Sequence, residues 1–308
     1  MTNLLFLLAC LLLGTGLRQG GIVSDDTPKA INKVLIYVCL PALTLLYASE
    51  LRFESRYVLA VAMPWLVFLG SWLFFWSMQL RLGLNNQTRI VLTLTAGIPS
   101  VSFVGFPIFE LLYGPEGLKT GVLMSQAGSF LVCGTVGVLL ASYHAPTESG
   151  RKITANQLAV NVLRFPTFGA FAVALLLNIV GWRWPSVIRE VLQRVGSPFS
   201  FLALLSVGMQ LDFRSESWRS RALWWGLGYK LLLAPALIAF LILFVLNQRG
   251  PMAEICVIGS ALGPMNTVAV IAANYGLNPP LAARMVGIGI PLSLLTVGLI
   301  ELLLRLLP

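Results

Sequence analysis

The stretch GSALGPMNTVAVIAANYG at residues 259–276 decides how this chain folds. It is apolar enough for hydrocarbon, yet Gly263 and Pro264 fall near its centre, followed at once by Asn266 and Thr267. Pro264 removes an amide donor and clashes with the preceding turn, and Gly263 loosens the backbone beside it, so a helix entering here has to break. A matching stretch, TAGIPSVSFVGFPIFELLYG, occupies 95–114, with Gly97, Pro99 and Gly105 around its break, Ser100 and Ser102 just beyond, and the same Tyr-Gly ending. Such segments make poor helices in water. In a bilayer they are tolerated where neighbouring helices or a cavity serve the freed backbone groups.

The rest of the chain agrees with a bilayer as solvent. Of 308 residues, 57% are hydrophobic and 11% charged, with mean hydropathy +0.84, against about 25% charged in soluble domains. Apolar runs fall near 2–17, 30–49, 57–80, 89–113, 119–142, 157–181, 197–211, 222–246, 253–275 and 279–306. Ten spans of about 20 residues each leave only short loops. The first run contains LLAC at 7–10, which mimics a lipoprotein cleavage box, but no basic residue precedes it, so it is read as a helix that stays.

Charge and cysteine usage exclude several classes. The net charge of +9 comes from basic residues scattered between apolar runs, without the blocks that bind nucleic acid. Cys10, Cys39, Cys133 and Cys256 lie singly in apolar segments and read as packing residues, neither disulfides nor metal ligands. The single histidine, His144, opens the polar stretch HAPTESGRK and is expected to be solvated. Eleven Lys and Arg lie on one side of the spans (18, 29, 33, 81, 89, 151, 152, 214, 219, 221, 284) and eight on the other (52, 56, 119, 183, 189, 194, 249, 305), with Arg164 and Lys230 inside spans. The positive-inside rule then places both termini outside and the loops at 143–156 and 212–220 in the cytoplasm.

The spans repeat. LPALTLLYASELRF at 40–53 parallels SPFSFLALLSVGMQLDF at 197–213, just as the fourth span parallels the ninth. Five spans separate the copies, an odd number, so the second copy is inverted. Residues 1–142 form the first five-helix repeat and 157–308 the second. Inverted repeats with a broken helix at matching places point to the binding site of a secondary transporter.

At each break the second half-helix begins near mid-membrane, presenting up to four unpaired N–H groups and about half a positive charge. Two such ends converging make an anion site without Arg or Lys. The candidate binding residues are Ser100, Asn266, Pro99, Pro264, Gly263, Ser102 and Thr267, with Ser100 and Asn266 placed to donate to a carboxylate or hold a water. The alternative is that the prolines only kink helices and Ser100 and Asn266 bond neighbouring carbonyls; the pairing of breaks across the repeat favours the site. Gln126 is placed either to face the crossing or to serve as packing glue. Lys230, about 13 Å beyond Arg221 along a helix, either snorkels or pairs inside. Glu110 reads as an interfacial carboxylate, and Gln210, Asn161 and Asn178 are further polar residues within spans.

These residues resemble the auxin efflux carrier family of membrane transporters. The resemblance rests on LLLGTGLRQGGIVSDDTPKAINKVLIYVCLPALTL at 11–45, with Tyr37, Pro41, Ala42 and Leu43 as the Tyr-x-x-x-Pro-Ala-Leu signature. It continues through FVGFPIF at 103–109, SPFSFLALLSVGMQL at 197–211 and GPMNTVAVIAANYGLNPPLAARMVGIGIPLSLLT at 263–296. It implies a scaffold of spans 1, 2, 6 and 7, a mobile transport domain of spans 3–5 and 8–10, a carboxylate held where spans 4 and 9 cross, and elevator-type movement. Bile-acid sodium symporters share this architecture. The chain departs from the family at Ser100, where Asn is usual, and near Gly289 and Ile290, where a Ser-Thr pair is usual.

The sequence therefore reads as an all-α integral membrane carrier of small organic anions in a bacterial inner membrane, with no enzymatic activity and no cofactor beyond a coupling proton or sodium ion. Its partners are the lipid bilayer and the anion; a homodimer is left open. A sodium-coupled symporter is the second reading, weakened by the absence of Asp from the spans. A transporter-like sensor without turnover is a third, weakened by the lack of a regulatory domain. An intramembrane enzyme would need a catalytic set such as HExxH, a membrane Asp pair or a membrane histidine, and none is present.

Overall fold

The computed structural model describes residues 2–24, 26–51, 56–146, 165–210 and 220–306. Arg52, Arg151, Lys152, Asn161, Arg164, Arg214 and Arg219 lie outside these residues, as do most of the loops at 143–156 and 212–220. The described chain is helical, with no named strand among the described residues. Helices α1 (Thr2–Gln19), α2 (Thr27–Ala48) and α3 (Arg56–Met78) lead to a half-length helix α4 (Asn86–Gly97). A break follows, then α5 (101–113) and α6 (115–144). The second half runs α7 (Pro166–Ile179), α8 (Ser186–Gly196), α9 (Phe199–Gln210), α10 (Arg221–Val245), α11 (Pro251–Ala261), α12 (Asn266–Asn274) and α13 (Pro279–Leu306).

Among the described residues, six helical runs are long and apolar enough to cross a membrane. One of them, Val101–His144, has 44 residues, which as a straight helix would measure about 66 Å, twice the hydrocarbon thickness of about 30 Å. Gly114 resolves the excess: its φ of 60° and ψ of −146° interrupt the run between α5 and α6, ahead of Pro115. Only a residue without Cβ takes that conformation cheaply.

Prolines inside the long helices leave a second mark. Pro41, Pro107 and Pro235 each follow a widened π-turn, at Leu35–Cys39, Val101–Gly105 and Tyr229–Leu233. A proline ring clashes with the carbonyl four residues back. Here that carbonyl lies within the widened turn, and the residue before each proline bonds five residues back: Leu40 to Leu35, Phe106 to Val101, Ala234 to Tyr229.

Packing sorts the helices into two groups. In one, α1 lies along α9, and α2 packs on α7, α8 and α9. The α1–α9 contact is backbone-close: a Cβ added to Gly14 would sit 2.2 Å from the Leu205 carbonyl oxygen, and one on Gly208 2.4 Å from that of Leu11. Small residues permit this approach, which lipid alone would not drive. In the other group α3 packs on α4, α6, α10 and α11, while α13 packs on α4, α10, α11 and α12. Between them runs α5, which touches α2 and α9.

Two sequence expectations need correction. The charged stretch holding Arg189 and Arg194 is the amphipathic helix α8, with an Arg194–Glu190 pair one turn apart on its exposed face. His144 is not a solvated loop residue: it ends α6 half-buried, with Nδ1 3.0 Å from the Leu140 carbonyl and Nε2 3.4 Å from Arg89 Nη2. That geometry makes Nδ1 the donor and leaves Nε2 to accept from the guanidinium.

Candidate functional site

The two breaks meet. Pro99 and Pro264 form an antiparallel bridge, in which the Ser100 N–H donates to the Gly263 carbonyl at 2.8 Å and the Met265 N–H to the Ile98 carbonyl at 3.0 Å. The prolines occupy the pair position whose own N–H groups make no ladder bond, so their missing donors cost nothing. Proline thus ends each helix and fits the crossing. Close packing holds it from outside: a Cβ on Gly289 would lie 2.7 Å from Pro264 Cδ, and one on Gly263 2.7 Å from Ile290 Cα. Gly289 and Ile290, the pair that departs from the family pattern, are therefore the backing of the crossing.

Helices α5 and α12 both start at this point. The bridge takes one amide from each strand, and the Val101 N–H turns back to the Pro99 carbonyl at 3.0 Å. First-turn donors left by this arrangement are the amides of Ser102 and Phe103 on one side and Asn266 and Thr267 on the other. That is fewer than the four per end expected from an isolated helix.

The candidate side chains divide. Ser100 and Ser102 are buried, as are Pro99, Gly263 and Pro264, whereas Asn266 and Thr267 are half-buried. Asn266 alone of these lines a cavity of about 450 Å³. The other walls are Arg18 from α1, Lys29 and Asn32 from α2, Gln210 from α9, and Ala269, Val286 and Ile290 from α12 and α13. The cavity therefore lies between the two packing groups, polar on one wall and apolar on the other. Its polar wall is braced: Arg18 Nη1 donates to the Met209 carbonyl at 2.8 Å, Ser206 Oγ to Asn32 Oδ1 at 2.7 Å, and Gln210 Nε2 to the Ser206 carbonyl at 3.0 Å. At the exposed rim Lys29 pairs with Asp26 at 2.8 Å. That hydrogen bond, then the lysine's charge, holds the Asp26 carboxyl below the usual carboxylate range.

Three buried polar atoms near the crossing have no protein partner: Asn266 Oδ1, Gln126 Oε1 and Ser129 Oγ. Gln126 and Ser129 sit on the Met124–Phe130 turn of α6, which packs on the first turn of α5. An unpaired buried polar group costs about 1–3 kcal/mol, so three in one neighbourhood mark where water or a ligand belongs.

The remaining candidates are accounted for. Lys230 does not snorkel; it is fully buried and its ammonium donates to the Ser260 carbonyl at 3.2 Å. Glu110 is exposed, and its carboxylate accepts from Ser200 Oγ on α9. Asn178 caps the end of α2, donating to the carbonyls of Ser49 at 2.8 Å and Leu51 at 2.7 Å. Sequence reasoning missed Arg18, Lys29 and Asn32 as neighbours of Asn266. They lie far from either break along the chain and arrive from other helices.

The family described as "Membrane transport protein" matches residues 1–300. An uncharacterized transporter of Methanothermobacter thermautotrophicus is 26% identical over 302 residues, covering 96% of each chain. One of Methanocaldococcus jannaschii is 23% identical over 313 aligned residues, 97% of each chain. One of Escherichia coli is 22% identical over 281 residues, 89% of this chain and 88% of the relative. The chain is a multi-pass membrane protein and belongs to the membrane transport protein family, the auxin efflux carriers whose motifs it carries.

Proposed function

We propose that the protein is a secondary carrier of small organic anions, carboxylates above all, working by elevator-type alternating access. The observation that carries this reading is the Pro99–Pro264 crossing with Asn266, two residues beyond it, in the wall of a cavity that Arg18 and Lys29 also line. Two positive helix ends meet at mid-chain breaks, and a carboxylate there gains up to about 2 kcal/mol from each in a partly buried geometry. Asn266 contributes a carboxamide to the cavity wall, whose Nδ2 group is the donor available to a carboxylate while Oδ1 accepts from water. Arg18 places a guanidinium in the cavity wall, while the charge of Lys29 is met by Asp26.

The packing groups support the division of labour. Helices α1, α2, α7 and α9 form the scaffold, and the crossing travels with α3–α6 and α10–α13. Ten membrane passes in two inverted repeats follow if α4 with α5, and α11 with α12, each make one pass. With both termini outside, the Arg18–Lys29 mouth opens to the cytoplasm and the described conformation faces inward. On the opposite side the Ser200–Glu110 hydrogen bond closes scaffold on transport group.

Uptake into proteoliposomes of a panel of radiolabelled mono- and dicarboxylates, with and without proton and sodium gradients, tests the reading. Wild-type protein is expected to accumulate at least one of them. A panel that yields no uptake under any gradient contradicts the assignment.

A further inference from the structure

Lys230 is the one basic side chain among the described residues that is completely buried. Among the described residues no carboxylate lies within ion-pair distance of it, and its one hydrogen bond runs to the Ser260 carbonyl in the last turn of α11. A buried ammonium without a counter-ion is expensive. What offsets it here is the helix end: the terminal carbonyls of α11 carry about half a negative charge, and a cation beside them is favoured. The other half-helix ending at the crossing is served differently. The Thr93 carbonyl of α4 accepts from the neutral Ser71 hydroxyl at 3.0 Å. One carbonyl end at the crossing thus faces a lysine amine and the other only a hydroxyl.

The backbone is shaped around this lysine. Lys230 sits inside the widened turn Tyr229–Leu233, the kind of local insertion that recurs at functional sites. Its neighbour Tyr229 ties α10 to α3 by donating to the Val67 carbonyl at 2.9 Å. Helices α10 and α11 pack in the same group as the crossing, so the charge moves with it.

Resting on the carrier reading above, we propose that the Lys230 ammonium is the resident cation of the crossing, standing at the carbonyl end of α11 in place of an exchangeable metal cation, so that transport needs no sodium. A monocarboxylate at the helix N-termini then meets a fixed positive charge on the same moving body. The loaded crossing is neutral and passes the apolar scaffold without a co-transported ion.

The test compares purified wild-type, Lys230→Ala and Lys230→Arg proteins by thermal melting in matched sodium, ammonium and choline chloride. Wild type is expected to melt at one temperature in all three salts. Lys230→Ala, which empties the ammonium's place, is expected to melt lower in choline and to be raised by sodium or ammonium. Lys230→Arg is expected to fold and to ignore the salt, which keeps the test open if the alanine variant fails to fold. Sodium-specific stabilisation of wild type over choline overturns the proposal, as does a Lys230→Ala protein that melts like wild type in every salt. Because melting needs no substrate, it separates failure of this proposal from failure of the carrier reading, which the uptake panel reports.

Discussion

On the proposed carrier reading, Asn266 is the side chain on which the site turns. It lies in the first turn of α12, lines the cavity and leaves Oδ1 unpaired. Asn266→Ala is expected to lower uptake at least tenfold, the equivalent of about 1.4 kcal/mol, with an unchanged elution profile and melting temperature because no structural hydrogen bond is lost. Wild-type uptake by this variant would remove Asn266 from the site. Arg18 acts at longer range. Arg18→Gln is expected to raise the half-saturating anion concentration several-fold and to flatten its dependence on ionic strength, since exposed charges are screened over about 8 Å at physiological salt; an unchanged salt profile would deny the cavity mouth an electrostatic role. Asn266 was legible in the sequence because proline and a polar residue adjoin in an apolar run. Arg18 was legible only as a charge between spans, because the tertiary fold alone brings it to the same cavity as Asn266.

Among the elements, the crossing was the most legible part of the structure. Pro99 and Pro264 each lie just after a glycine and just ahead of a polar residue in an apolar run, which is what announces a break, and the similarity of the two stretches pairs them. The direct Pro99–Pro264 bridge was not legible, since nothing in spacing says that two breaks touch. Nor was the role of Gly289, whose missing side chain admits the Pro264 ring. Gly289→Val is expected to destabilise the protein by about 1–3 kcal/mol through overpacking, read as a lower melting temperature than that of Gly287→Val, where an added Cβ meets nothing within 4 Å. Equal melting of the two variants would contradict the close packing behind the crossing. Helix α8 falls between the apolar runs that end at 181 and resume at 197, because its apolar residues are spaced for an interface and its charges interrupt them.

On the scale of the whole molecule, composition alone identified the bilayer as solvent, and among the described residues the apolar runs located the helices to within a few residues, the start of the 157–181 run lying outside them. Orientation rests on the eleven-to-eight excess of basic residues. Single cysteines in the 143–156 and 212–220 loops, on a background without the native cysteines, are expected to resist an impermeant thiol reagent in intact cells; rapid labelling of both would invert the topology. The central claim is that the carrier recognises negative charge through helix ends. Competition in the proteoliposome assay between a transported carboxylate, its primary amide and an amine of matched size tests it most directly. The account predicts that the amide competes at least tenfold more weakly than the acid, about 1.4 kcal/mol, and that the amine neither competes nor enters. Equal competition by acid and amide, or uptake of the amine, would contradict it.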